Sequence, residues 1–188
     1  MSRLPRTRKN KHPRRIRKGL IIVNTGDGKG KTTAALGVAL RATGYDFKVS
    51  MIQFVKGRWK PGEVRAASGL APNFEIIPMG LGFTRLSKDL ERDKAQAQNG
   101  WKLAKEKIES GQYNIVILDE LTHAINHGFI DLEDVLETLR KKAVMLHVII
   151  TGRDAPNKMI EMADLVTEMK QVKHPYKNGI RAQQGIEF

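Results

Sequence analysis

The chain has 188 residues, enough for one ordinary domain or a domain with a tail. Its 33 Lys and Arg against 20 Asp and Glu give a formal charge of +13, but nine of those bases and no acid fall within residues 1–18, leaving 24 bases against 20 acids in a near-neutral body. Forty per cent apolar content excludes global disorder, zero cysteines exclude a disulfide scaffold, a thiolate metal site and a cysteine nucleophile, and every apolar run is too short for a membrane span.

Residues 1–18 carry the charge of a signal peptide's first region, but no apolar stretch of signal length follows them. They read as a basic, flexible arm on a cytoplasmic body formed by residues 19–188. The body alternates short β-branched runs with helical patterns, which predicts an α/β fold with a parallel sheet flanked by helices. A buried strand over Leu20–Asn24 leads into a glycine-rich turn, Thr25–Gly30, and then a helix over Lys31–Ala42 that Gly44 stops. A strand over Lys48–Phe54 precedes a polar loop, Val55–Ser68, with a short helix around Glu63–Ala67. Phe74–Ile77 is the next strand, closed by Pro78, and the two glycines of Met79–Phe83 suggest a mobile loop. Ser87 is the expected N-cap of a long helix reaching about Ser110, with Gly111 as its stop. Ile115–Leu118 is the most strand-like run and ends in Asp119-Glu120. A helix over Leu132–Arg140, a strand over Met145–Thr151, a helix from Pro156 to Met162 and a last strand at Leu165–Glu168 complete the pattern. From Gln171 the polar, glycine-bearing sequence predicts irregular structure over the sheet's end.

The strongest chemical signal is Thr25-Gly26-Asp27-Gly28-Lys29-Gly30-Lys31-Thr32-Thr33, set between a strand and a helix. Glycines let backbone N–H groups turn inward as an anion nest, and the following helix aims its positive end at the same point. Lys31 adds a cation for phosphate oxygens, and the Thr32 hydroxyl can ligate Mg²⁺. The loop departs from the usual pattern in one place: Thr25 stands where a glycine is expected, and Gly26 follows it. The second signal is the acid pair. A buried strand delivers Asp119 and Glu120 to the carboxyl end of a parallel sheet, where ligands of open α/β folds bind and where such an acid holds Mg²⁺ directly or through water.

Weaker signals leave alternatives open. His123 and His127 are spaced to share a helix face and hold a metal, but they read better as surface or packing residues without an evident third ligand. Trp101 is a packing residue rather than a stacking platform. Arg153, after Thr151-Gly152 at a strand end, either reaches phosphate or forms a structural ion pair; Arg41 either contacts nucleotide or is a surface charge. The arm's bases suit nucleic acid, but with no aromatic for stacking they fit a solvated arm better.

Taken in order, Gly26–Ala34, Phe54-Val55-Lys56-Gly57, Gly82-Phe83-Thr84, Leu118–Thr122, Thr151-Gly152-Arg153 and Ala182–Glu187 resemble the P-loop type cob(I)alamin (corrinoid) adenosyltransferase family over about Gly19–Phe188. The resemblance implies a three-layer, RecA-like P-loop NTPase fold with a mostly parallel central sheet, making residues 19–188 a nucleotide-binding catalytic domain. It implies transfer of the 5′-deoxyadenosyl group of ATP to cobalt(I) of a reduced corrinoid, with triphosphate as the other product. ATP is then a co-substrate, Mg²⁺ or Mn²⁺ the cofactor, a homodimer the assembly, and a flavoprotein a possible electron donor. Carried onto this sequence, Gly26 to Thr33 with Arg41 and Arg153 bind nucleotide, and Thr32 and Glu120 hold the metal with Asp119 behind them. Lys31 stabilises the leaving group, and Phe83 covers the lower corrin face. Some relatives have tryptophan where this chain has Arg85, which cannot exclude axial donors in the same way. The same residues also admit a P-loop ATPase acting on nucleic acid, or a small-molecule kinase.

Overall fold

The structure, a computed structural model, describes residues 16–57, 61–80, 82 and 89–187. Among these residues six strands follow in order: β1 (Ile21–Thr25), β2 (Val49–Gln53), β3 (Phe74–Pro78), β4 (Ile115–Asp119), β5 (His147–Thr151) and β6 (Leu165–Glu168). The α-helices among the described residues are α1 (Lys31–Thr43), α2 (Gly62–Ser68), α3 (Leu90–Glu109), α4 (Leu121–Asn126), α5 (Leu132–Lys141) and α6 (Asn157–Met162). Every strand pair is parallel, in the order β3-β2-β4-β5-β1-β6, as the alternating pattern predicts.

Period-two alternation divides the strand side chains between two cores. Ile21, Val23, Val116, Leu118, Val148 and Ile150 pack under α3, α4 and α5 on one face. Ile115, Ile117, Ile149 and Met51 face α1 on the other. Ala35, Ala39 and Ala42 recur at helical spacing on the buried side of α1. These small side chains seat the helix against the sheet and fix its first turn directly beyond β1. On α3, Ala97, Trp101, Ala104 and Ile108 form the buried stripe; Trp101 is 5% exposed and its Nε1 donates to Asp134 Oδ2 at 2.7 Å, which is a packing role.

Two elements differ from expectation. The long helix starts at Leu90 with Asp89 as its N-cap, accepting from the Arg92 amide at 3.0 Å; Ser87 lies outside the described residues. Asp89, with Glu91 and Asp93 in the first turn, complements the positive helix end better than a serine alone. Helix α4 was not expected: it starts directly after β4 because Glu120, at φ 60°, turns the chain back so that Leu121, Ala124 and Ile125 are buried. Of the basic arm, residues 1–15 lie outside the described residues. Lys18 pairs with Asp164, whose Oδ2 accepts from the Ile21 amide at 3.0 Å and so holds the entry to β1.

At the amino edge of the sheet, His147 Nδ1 accepts from the Leu20 amide at 3.1 Å, so the imidazole there is neutral. Burial first, and then the Lys142 ammonium, hold its pKa below the ordinary 6.5. The folded pKa lies below the unfolded one, so this contribution to stability is complete above 6.5 and is lost as pH falls through the lowered value. We expect His147→Gln, which keeps an acceptor but does not titrate, to flatten that part of the acid limb in denaturant titrations at stepped pH.

Candidate active site

The carboxyl ends of β1, β2, β4 and β5 meet at one edge, and the phosphate-loop motif leaves β1 there. Gly26 has φ 92°, and a Cβ on it would stand 2.6 Å from the Met169 carbonyl, so only glycine fits. Met169 follows β6 and clamps the loop: its carbonyl accepts from the Gly28 amide at 2.6 Å, and its amide donates to Thr25 O at 2.8 Å. Gly30 precedes α1 in a left-handed conformation and gives no side-chain cap, leaving the helix's first amides for an anion.

Lys31 is only 7% exposed, and its Nζ donates to the carbonyls of Gly26 at 2.7 Å and Gly28 at 2.8 Å. Burial lowers its pKa, against the pull of the Glu120 carboxylate. Its ammonium is therefore held by neutral dipoles, which a polyphosphate oxygen outcompetes. Next along α1, Thr32 Oγ1 donates to Asp119 Oδ1 at 2.8 Å.

Asp119 is 1% exposed and organises the edge. Oδ1 also accepts from Thr151 Oγ1 at 2.8 Å, and Oδ2 accepts from Gln53 Nε2 at 3.3 Å. Thr151 Oγ1 in turn accepts from the Glu120 amide at 2.9 Å. Strand β5 lies between β4 and β1, so Thr151 bridges the acid strand and the loop strand. Glu120 is half-buried in the left-handed conformation, a strained backbone for a non-glycine residue. Burial first, and Asp119 beside it second, raise its pKa, while Lys31 and Arg153 oppose the shift.

These contacts bring together the loop residues Gly26 to Thr33, Asp119, Glu120 and, at the rim, Arg153. Arg153 Nε stands 3.9 Å from Asp27 Oδ1, a loose exposed pair, and its carbonyl accepts from Thr122 Oγ1 at 2.7 Å. Lys29 Nζ pairs with Glu187 Oε1 at 2.9 Å. Arg41 lies apart, exposed in the last turn of α1. Phe83 and Arg85 lie outside the described residues. The rings of His123 and His127 are 4.1 Å apart, and His123 lines a small cavity with Phe54, Gly80, Gly82 and Asp93. No group of three or more metal-ligating His, Asp or Glu side chains occurs among the described residues.

Sequence reasoning missed Gln53, Glu63 and Lys56 as members of the site. Gln53 Nε2 bridges Asp119 and Glu63 Oε1, the latter at 3.3 Å, and Lys56 Nζ donates to the same Glu63 oxygen at 2.6 Å. Burial alone would raise the Glu63 pKa, but the hydrogen bond from Lys56 holds it below the usual carboxylate value. Thr32, Thr33, Lys56 and Glu63 line an open cleft of about 360 Å³ beside the loop. The signal for Lys56 was its motif, Phe54-Val55-Lys56-Gly57; nothing in the sequence marked Gln53.

The two adjacent acids should respond oppositely to substitution. Asp119→Ala strands three donors and should cost roughly 2–4 kcal/mol of folding stability. Glu120→Gln removes a charge that burial and Asp119 disfavour, so it should melt at or above the parent at neutral pH while weakening Mg²⁺–ATP binding. Thermal melts of both variants with and without Mg²⁺–ATP check this pair.

Comparison with known proteins gives a consistent result. The family profile described as ATP:corrinoid adenosyltransferase BtuR/CobO/CobP matches residues 17–188. The corrinoid adenosyltransferase of Pseudomonas aeruginosa is 41% identical over 174 residues, which cover 93% of this chain and 86% of that protein. That of Sinorhizobium sp is 43% identical over 173 residues, 91% and 81% of the two chains, and that of Escherichia coli K12 is 40% identical over 171 residues, 91% and 86%. Among solved structures, the flagellar accessory protein FlaH from Methanocaldococcus jannaschii superposes with a TM-score of 0.55 at 13% identity, covering 81% of this chain and 72% of that one, a likeness of fold alone. With a profile match over nearly its whole length and three relatives at or above 40% identity, this chain belongs to the ATP:corrinoid adenosyltransferase family.

Proposed function

We propose that this protein transfers the 5′-deoxyadenosyl group of ATP to the cobalt of a reduced corrinoid and releases triphosphate. The observation that carries the reading is Lys31, buried on a phosphate loop within the field of the Glu120 carboxylate, in a chain of this family. The cobalt(I) electron pair attacks C5′, a cobalt–carbon bond forms, the C5′–O bond breaks, and its electron pair leaves with the triphosphate. Such a displacement at saturated carbon needs no general base. The protein's work is to stabilise the departing oxygens, align cobalt with carbon and exclude water.

The loop amides, Lys31 and Lys29 supply the first requirement. The metal donors fit a hard cation: the Thr32 hydroxyl and the Glu120 carboxylate are oxygen ligands, with Asp119 orienting Thr32. Mg²⁺ or Mn²⁺ bound there would neutralise charge on the triphosphate oxygens, and two side-chain ligands leave room for phosphate and water, as Mg²⁺ prefers. Arg153 is suited to a phosphate oxygen from the rim; the exposed Arg41 suits the distal part of the nucleotide. Phe83 is assigned to the lower corrin face. A homodimer, an electron-donating flavoprotein and a cytoplasmic setting complete the proposal. No described helix is long and apolar enough to cross a membrane.

Anaerobic incubation with ATP, Mg²⁺ and chemically reduced cobalamin should yield a light-sensitive cobalt–carbon product and one triphosphate per turnover. Lys31→Ala should slow this by about a hundredfold or more, the scale of one lost anion-stabilising donor. Cleavage only between phosphates, whether stimulated by DNA or yielding ADP and a phosphorylated small molecule, would replace the proposal with an ATPase or a kinase.

A further inference from the structure

Two histidines that take no part in the chemistry above stand one turn apart on the outer side of α4. Leu121, Thr122, Ala124 and Ile125 are the buried residues of that helix, which leaves His123 half-buried and His127 exposed. The turn between them is regular: the His127 amide donates to His123 O at 3.1 Å. The Gly128 and Phe129 amides then close the helix end on Ile125 O and Ala124 O, both at 2.9 Å. Thr122 Oγ1 and Asn126 Nδ2 pin the same helix to the carbonyls of Arg153, at 2.7 Å, and Asp154, at 3.0 Å.

The rings are ordered as well as the backbone. His127 Nδ1 lies 2.8 Å from His123 O and, because a carbonyl only accepts, it carries the proton. In the neutral ring this puts the lone pair on Nε2, the arrangement that a backbone carbonyl imposes on metal-bound imidazoles. The Phe129 ring backs His127 at 5.7 Å between centroids, and the His123 ring lies at 4.1 Å.

We propose that His123 and His127 chelate a divalent transition-metal ion of the class that imidazole prefers: Ni²⁺, Cu²⁺ or Zn²⁺. Residues four apart on a helix share a face, and this spacing lets two imidazoles reach one ion. Among the described residues no third ligating His, Asp or Glu completes a cluster, so water fills the remaining positions, as suits a surface site. The site is chemically separate from the oxygen donors assigned to Mg²⁺, since nitrogen ligands favour borderline metals and a hydroxyl with a carboxylate favours hard ones. A bound ion ties together the ends of a six-residue helix too short to persist by propensity alone. It thereby braces the segment that begins at Glu120.

Titrating the full chain with Ni²⁺ in the presence of excess Mg²⁺ tests the assignment. Calorimetry should show one tight site, and the electron paramagnetic resonance spectrum of the Cu²⁺-loaded chain should show two coordinated nitrogens. His123→Gln and His127→Gln should each weaken Ni²⁺ about a hundredfold, the low end of what two-point attachment adds, and the double variant should lose no more than either alone. Ni²⁺ should raise the melting temperature of the parent and of neither variant. Unchanged affinity in both variants, losses that add as for two independent sites, or a parent spectrum with fewer than two nitrogens would each overturn the proposal. The parent spectrum decides the matter even where a variant fails to fold, and no measurement depends on nucleotide or corrinoid.

Discussion

A carboxylate removed from water at the end of a strand must be given donors, and Asp119 receives three from three different elements. Thr32 comes from α1, Thr151 from β5 and Gln53 from β2. Satisfying one buried group therefore fixes the register in which the loop helix, the acid strand and their neighbours meet. Thr151 then passes the constraint on by accepting from the Glu120 amide, which holds the left-handed turn that aims the second acid. The site is preorganised because the donors around Asp119 are already committed to it.

The lysines around the cleft show the complementary arrangement. Lys31 rests on two carbonyls, Lys29 on Glu187 and Lys56 on Glu63. Each cation has a local partner, so a polyanion entering the cleft exchanges contacts rather than meeting bare charge. This limits the electrostatic cost of keeping several bases close together. The exposed Lys29 pair is weak enough to yield readily, whereas Lys31 is held in place by burial.

Much of this was legible in the residues themselves. Glycines at close intervals between an apolar run and an alanine-rich helix point strongly to a phosphate loop, so the loop, Lys31 and Thr32 could be read directly. Asp119-Glu120 stood out because four apolar residues precede them. Gln53 and Glu63 were not legible: their link to Asp119 depends on β2 lying beside β4, and strand order is not written in local periodicity. The six-residue α4 escaped because it is too short to show a period and begins from a backbone conformation that glutamate rarely adopts. Residue type alone points to Ser87 as the cap, whereas the side chain that receives the Arg92 amide is that of Asp89, which only the geometry of the first turn reveals. The covering role of the last segment was foreseen only as irregular chain over the sheet's end; that Met169 would grip the loop through its backbone amide and carbonyl leaves no side-chain signature.

That grip carries a consequence for the birth of the enzyme. The residues of the loop are among the first of the body to leave the ribosome, but the carbonyl that Gly28 needs belongs to Met169, about 140 positions later. During translation the early half can form its helix and begin a sheet, yet the anion nest stays unshaped until the final strand is threaded beside β1. A chain lacking β6 would hold the glycine-rich loop, Lys31 and both acids without the carbonyl that shapes them, so the pocket is completed by the strand farthest from the loop in sequence.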